Sequence, residues 1–250
     1  CKILHGDTKR LETQSIGGAS WRGINMILEN YVWQAPEFFT REEIRQLHTA
    51  ADKIQEMPGQ IGAPNNQDAD RPNPTDEGTE DWSIRSSTVK WFEMNNGQMP
   101  KNLEDKLADA IDMANKQCNW NHTWEYMENP QYTVYTEQPD RQGDFYTWHT
   151  DAGPIYYGNG LHRKLSMTVQ LSDQDDYEGG HFQWLEPHRQ LDRMTGTNPQ
   201  VNMQDAIQTL SFSAKTIGSV VVFPSFLYHQ VTPVLKGTRK SLVCWFTGNT

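Results

Sequence analysis

From residue 131 onward the chain is a succession of short apolar or alternating runs: QYTVYT, FYTWHT, KLSMTVQL, HFQWL, SVVVFP, HQVTPV and KSLVCWF. Gly, Asn and Asp punctuate them. Runs of this length, rich in β-branched and aromatic residues and bounded by turn formers, read as strands, and so many in close order restrict this half to a sandwich or barrel. The run KLSMTVQL has two unlike faces. Leu165, Met167, Val169 and Leu171 lie on one; Ser166, Thr168 and Gln170 lie on the other. Such a strand either turns its polar face to water or lines a pocket with it.

The first half has a different texture. In PEFFTREEIRQLHTAADKIQE, Thr40 and Glu43 form a capping box, and Ile44, Leu47, Ala51 and Ile54 share one helical face. The spacing predicts a helix over 41–56. NLEDKLADAIDMANKQ places Leu103, Leu107, Ala110, Ile111 and Ala114 on one face of a second amphipathic helix. SSTVKWFEM reads as a strand. Residues 1–30 read as an irregular or β-containing lead-in, and residues 57–81, dense in Pro, Gly, Asn and Asp, as a long loop, either a lid or an insertion. The expectation is one mainly β domain over 1–250. Residues 1–126 would be a helical and irregular support with a strand or two, and residues 127–250 a β core with the helices packed outside it.

Charge and cysteine usage narrow the function. Thirty-two acidic residues against 22 basic ones give a net charge of -10, which repels a phosphate backbone and disfavours nucleic acid as a partner. No apolar run is long enough to span a membrane. Cys1, Cys118 and Cys244 have no metal-type spacing, and the opening residues CKILHGDTKRLETQS do not read as a signal peptide; together these give a cytoplasmic expectation.

The stretch YTWHTDAG sets His149 and Asp151 two apart in a strand-like segment, so both side chains leave the same face. They could grip a metal, pair with each other, or do nothing. His229, after GSVVVFPSFLYHQVTPV begins, offers a third donor. Two histidines and one carboxylate cover one face of an octahedral Fe(II) and leave three positions open, enough for a bidentate 2-oxo acid and dioxygen. Zinc would also accept these donors, but a closed structural zinc site wants a fourth protein ligand, and none stands at a fixed spacing. A 2-oxo dicarboxylate brings a distal carboxylate that suits an arginine fork. Arg239 and Ser241, two apart on the last strand, could hold it together. His5, His48, His122, His162 and His188 read as satisfied polar residues. His181, after the Gly-Gly turn and alternating with Phe182, is a candidate for the pocket mouth.

These residues carry a resemblance. HTD at 149–151, LSDQDDYEGGHFQW at 171–184 and FPSFLYHQVTPVLKGTRKSLVCWF at 223–246 resemble the Fe(II)- and 2-oxoglutarate-dependent dioxygenases, in the prolyl 4-hydroxylase-like, PKHD-type branch. The likeness covers roughly residues 131–247, and FFTREEIRQL more loosely resembles the group's N-terminal helix. It implies a double-stranded β-helix, or jelly roll, with iron on His149, Asp151 and His229. Arg239, with Ser241, would bind the distal carboxylate of 2-oxoglutarate. Tyr135 and Gln170 would contact the co-substrate, and Trp245 would pack near the iron, with His181 and Phe182 toward the substrate. The implied co-substrates are 2-oxoglutarate and O2, with ascorbate as a reductant. Asp151 separates the chain from the iron halogenases of the superfamily, which have Gly or Ala there. TEQPDRQGDFYTW at 136–148 is longer than the family's usual turn, which leaves the entrance shape open. The implied substrate is a prolyl or other side chain in a peptide or protein, with a free amino acid or small metabolite as the alternative. A cupin-like barrel that binds metal or ligand without redox turnover is the competing class, and a barrel without a 2-oxo acid has no need of a buried arginine.

Overall fold

The structure is a computed structural model and describes residues 27–29, 31–61, 80–94, 96–152, 161–186 and 203–249. Its strands are β1 (Ile27–Glu29), β2 (Val32–Ala35), β3 (Met57–Pro58), β4 (Arg85–Ser86), β5 (Thr88–Trp91), β6 (Tyr126–Met127), β7 (Gln131–Thr136), β8 (Phe145–His149), β9 (Leu161–Gln170), β10 (Tyr177–Gly179), β11 (Phe182–Leu185), β12 (Ile207–Thr209), β13 (Val220–Pro224), β14 (His229–Val231) and β15 (Val234–Asn249). They form two antiparallel sheets. The larger has the order β1-β2-β13-β9-β15-β7-β5-β3, with β6 and β10 also on β15; the smaller is β12-β11-β14-β8-β4. From β7 onward the chain passes back and forth between the sheets, β7 in the larger, β8 in the smaller, β9 in the larger, as a jelly roll requires.

Two helices cover the outer face of the larger sheet. In α1 (Arg41–Ala51) the Thr40 hydroxyl accepts from the Glu43 amide at 3.2 Å, and the Glu43 carboxylate accepts from the Thr40 amide at 2.7 Å. The capping box of the sequence is present. The helix ends at Ala51, short of the expected 56, because Lys53 and Ile54 bond back to Ala50 and Ala51 in tighter three-residue turns. Ile54 still packs on the core. In α2 (Lys101–Gln117) the stripe Leu103, Leu107, Ala110, Ile111 and Ala114 is fully buried.

Both stripes pack with Leu165, Met167 and Val169 of β9, Val220 and Val222 of β13, and Leu242, Cys244 and Phe246 of β15 in one apolar core. The alternate residues of the same strands therefore point the other way, toward the smaller sheet. Ser166 and Gln170 are buried there, so the polar face of KLSMTVQL lines an interior and does not meet water.

The first half differs from expectation in its strand content. β1, β2, β3 and β5 extend the larger sheet and β4 joins the smaller, where one or two strands were predicted. β2 has no alternation to betray it, since all of Val32–Ala35 is buried. Met57–Pro58, inside the predicted loop, pairs with β5; the part of that loop over residues 62–79 lies outside the described residues, as do His5 and His188. No described helix is long and apolar enough to cross a membrane.

His48 ties α1 to the sheet. Its Nε2 meets the Leu171 carbonyl at 3.1 Å, an acceptor only, so Nε2 carries the proton and Nδ1 accepts from the Tyr132 hydroxyl at 2.8 Å. Burial, then the charge of Lys240, lowers its pKa. A folded-state pKa below that of the unfolded chain means the unfolded state takes up the proton first, so stability is lost as pH falls through about 6.5. In urea unfolding, the advantage of the parent over His48→Asn should shrink as pH drops below that point. Leu107→Ala, which leaves a hole between helix and sheet, should cost about 2–5 kcal/mol in the same measurement.

Candidate active site

His149 ends β8 and His229 begins β14, and the two are register partners across the smaller sheet. Asp151 lies just past β8. It is held there by the corner that follows β13: the Ser225 carbonyl accepts from both the Asp151 and Ala152 amides at 2.9 Å, and the Ser225 hydroxyl bonds that of Ser166 at 2.9 Å. Ser166 in turn hydrogen-bonds the Asp151 carboxylate. The FPS turn thus sets the carboxylate against the histidines.

His149 Nε2 stands 3.8 Å from Asp151 Oδ1, and His229 Nε2 stands 3.6 Å from Asp151 Oδ2. One donor atom from each residue lies within 4.8 Å of the others, and among the described residues no other group of His, Cys, Asp or Glu meets in this way. Each imidazole is fixed by its far nitrogen. His149 Nδ1 faces the Thr147 carbonyl at 2.7 Å and His229 Nδ1 the Leu227 carbonyl at 2.8 Å. A carbonyl only accepts, so the protons sit on Nδ1 and the Nε2 lone pairs are turned to the cluster.

Burial, reinforced by His229, drives the His149 pKa down to about 3, which keeps the ring neutral and able to ligate. Burial alone would raise Asp151, but His229, His149, Arg163 and the Ser166 bond outweigh it, and its pKa is lowered. Two imidazoles and one carboxylate, with no fourth protein donor among the described residues, fit a non-haem Fe(II) better than a closed zinc site.

Aromatic rings wall the cluster. Tyr146 stacks on His149 with centroids 3.5 Å apart, and the Arg85 guanidinium lies 4.8 Å over the same Tyr146 ring. Phe223 and Phe182 pack on His229 at 4.7 and 5.5 Å. Phe182 is therefore part of the wall behind a donor histidine.

Farther along the interior face of the larger sheet sits Arg239, 4% exposed. Its Nη1 donates to Ser241 Oγ at 3.4 Å, and its guanidinium lies 5.6 Å from the ring of Tyr135, its register partner. Ser241 is flanked in register by Thr133 and Gln170. Gln170 Nε2 donates to the Tyr177 hydroxyl at 2.9 Å, which leaves the phenolic proton free to donate onward. Gly180, at φ +55°, backs onto this group; a Cβ there would lie 2.9 Å from Arg239 Cδ.

Trp245 is six residues beyond Arg239 and on the same face. It is the register partner of Ser166, which places it beside the Asp151 end of the pocket. Arg163 stacks over its ring at 4.0 Å and is itself held by Glu128 through bonds of 2.9 and 2.7 Å. The Trp245 Nε1 is buried without a hydrogen-bond partner. His181 is placed against Lys215, Nδ1 to Nζ 3.0 Å.

The sequence reading did not single out Tyr146, Arg85, Arg163, Glu128, Tyr177 or Lys215. For Tyr146 the reason is a β-bulge: it stands three positions before His149, and only the register shift opposite His229–Val231 brings both rings to one side.

Comparison with known proteins agrees with this geometry. Residues 130–247 match the sequence model of the 2OG-Fe(II) oxygenase superfamily. A PKHD-type hydroxylase of Alteromonas mediterranea is 34% identical over 103 residues, covering 40% of this chain and 37% of that protein. One of Synechococcus sp. (strain CC9605) is 36% identical over 107 residues, covering 41% and 36%. The match thus spans little more than a third of the length of these curated relatives. Among solved structures, a Pseudomonas putida prolyl-4-hydroxylase superposes with TM-score 0.51 at 19% identity, over 86% of this chain and 91% of that one. A Trichoplax adhaerens prolyl hydroxylase in complex with a hypoxia inducible factor oxygen degradation domain peptide fragment superposes with TM-score 0.57 at 16% identity, over 87% and 83%. These last two likenesses are of fold. His149, Asp151, His229 and Arg239 all stand within residues 130–247, the stretch that matches the 2OG-Fe(II) oxygenase superfamily.

Proposed function

We propose that the protein is a non-haem Fe(II)- and 2-oxoglutarate-dependent dioxygenase that hydroxylates an unactivated C–H of a prolyl or other amino-acid side chain in a peptide. The observation that carries this reading is the sharing of one barrel interior by the His149–Asp151–His229 cluster and the buried Arg239–Ser241 pair. Fe(II) would be held by the two Nε2 atoms and the Asp151 carboxylate. Bound there, it would supply the reaction of O2 with 2-oxoglutarate and substrate, one oxygen atom entering succinate as CO2 is lost and the other entering the substrate C–H as hydroxyl.

The chain's own residues orient and exclude. Arg239, Ser241 and the proton of the Tyr177 hydroxyl offer donors to the distal carboxylate of the 2-oxo acid. Tyr135, buried with its ring 5.6 Å from the Arg239 guanidinium, helps keep water from that end. Thr147 and Leu227 carbonyls hold the two imidazoles in the tautomer a metal needs.

Two observations support a peptide as substrate. A solved neighbour of the same fold is bound to a peptide fragment. The buried indole N–H of Trp245 has no acceptor of its own, and a backbone carbonyl is the acceptor a peptide supplies in abundance.

Anaerobic addition of Fe(II) and then 2-oxoglutarate to metal-free protein should produce the weak visible charge-transfer band of the chelate. His149→Ala and Asp151→Ala should lose it; a band of parent intensity in either would refute the metal assignment. Arg239→Ala should weaken 2-oxoglutarate binding by about two orders of magnitude while Fe(II) still binds, as expected when one member of a buried charge pair is removed. Trp245→Phe should keep the band and raise the KM for a hydroxylated peptide about tenfold, the cost of one unmade hydrogen bond.

A further inference from the structure

Three basic side chains converge at the barrel end where Arg239 lies, in a chain whose net charge is -10. Lys215 closes the turn Phe212–Lys215 and places its Nζ 3.0 Å from Nδ1 of His181, the residue that enters β11. Backbone bonds fix the turn there. The Leu210 amide donates to the Phe182 carbonyl at 3.1 Å, and the Gly218 amide donates to the Gln170 carbonyl at 2.8 Å. The 210–218 segment therefore bridges the start of β11 and the end of β9 that borders Ser241. Gly180, next to His181, leaves room for the Arg239 side chain, since a Cβ there would lie 2.9 Å from Arg239 Cδ.

Each of the three keeps an N–H that can donate to an anion. A lysine ammonium can only donate, so His181 Nδ1 accepts from it and the ring is left neutral with an N–H at Nε2. Both Lys215 and His181 are held below their usual pKa, each first by burial. Arg239 adds to this for Lys215, and Lys215 and then Arg239 add to it for His181. No carboxylate among the described residues acts on either. Cations gathered in a half-buried site without an anion repel one another and are poorly solvated. One carboxylate of a 2-oxo dicarboxylate would answer Arg239, and Lys215 would remain.

We propose that Lys215 and His181 form a second anion-binding position beside Arg239, so that this end of the barrel takes small tricarboxylates. One carboxylate rests on Arg239 and Ser241, another on Lys215 and His181, and such acids compete with 2-oxoglutarate. This assignment rests on the function proposed above for Arg239.

Calorimetric titration of the metal-free protein with propane-1,2,3-tricarboxylate and with glutarate tests it. The parent should bind the tricarboxylate about tenfold more tightly than glutarate, as one charge-assisted contact gives. In Lys215→Met the two affinities should converge, and in Lys215→Arg the preference should return. No preference in the parent, or an undiminished one in Lys215→Met, overturns the inference. The anaerobic charge-transfer band with Fe(II) and 2-oxoglutarate, recorded on the same proteins, separates the two claims. A band in all of them without tricarboxylate preference removes only the second anion position. Absence of the band in the parent removes the oxygenase reading, while a Lys215-dependent tricarboxylate preference would still stand as an anion site.

Discussion

The molecule depends on the register of β15. This sixteen-residue strand runs through the middle of the larger sheet with β7 on one side and β9 on the other, and successive residues leave opposite faces. Leu242, Cys244 and Phe246 are sealed under the helices, and that forces Arg239, Ser241 and Trp245 into the barrel. A slip of one residue would put a guanidinium into the apolar core and Phe246 into the pocket. The burial of one face is thus what specifies the chemistry of the other.

Polarity inside the barrel is divided along its length. At one end a carboxylate, two imidazoles and aromatic rings surround the place where a metal fits; at the other stand Arg239, Lys215 and His181 with the hydroxyls of Ser241 and Tyr177. An elongated acid with a chelating head and an anionic tail is matched by that gradient, head to the cluster and tail to the basic end. Ser166 and Trp245 near the first end and Gln170 and Ser241 near the second lie on one face of β9 and β15, so strand rise sets the distance between these pairs.

Much of this was legible in the sequence, for reasons of period. Alternation marked the strands from 131 onward, the capping box marked α1, and the two-residue spacings of His149 with Asp151 and Arg239 with Ser241 marked pairs on one face. What was hidden lacked a period. β2 is buried on all sides, and β4 is two residues long. Tyr146 reaches His149 only through a bulge, Arg163 and Glu128 meet from segments 35 residues apart, and Lys215 sits in an irregular turn. Such partners are chosen by tertiary register, which no local window contains.

The passage from β4 to β5 takes the chain from the smaller sheet to the larger across Ser87 alone. Arg85 rivets that crossing, with bonds to Ser87 Oγ at 2.9 Å, the Gln60 carbonyl at 2.9 Å and Gln131 Oε1 at 2.7 Å. On this side the sheets are stitched together. At the far side the longer run from β12 to β13, with the Ser211 hydroxyl bonded to Gln34, is the joint between them. That opposite edge is filled by a second apolar cluster in which Phe182 and Trp184 of the smaller sheet pack on Val32, Val221 and Phe223 of the larger, so the barrel is closed by polar bonds at one edge and by apolar packing at the other.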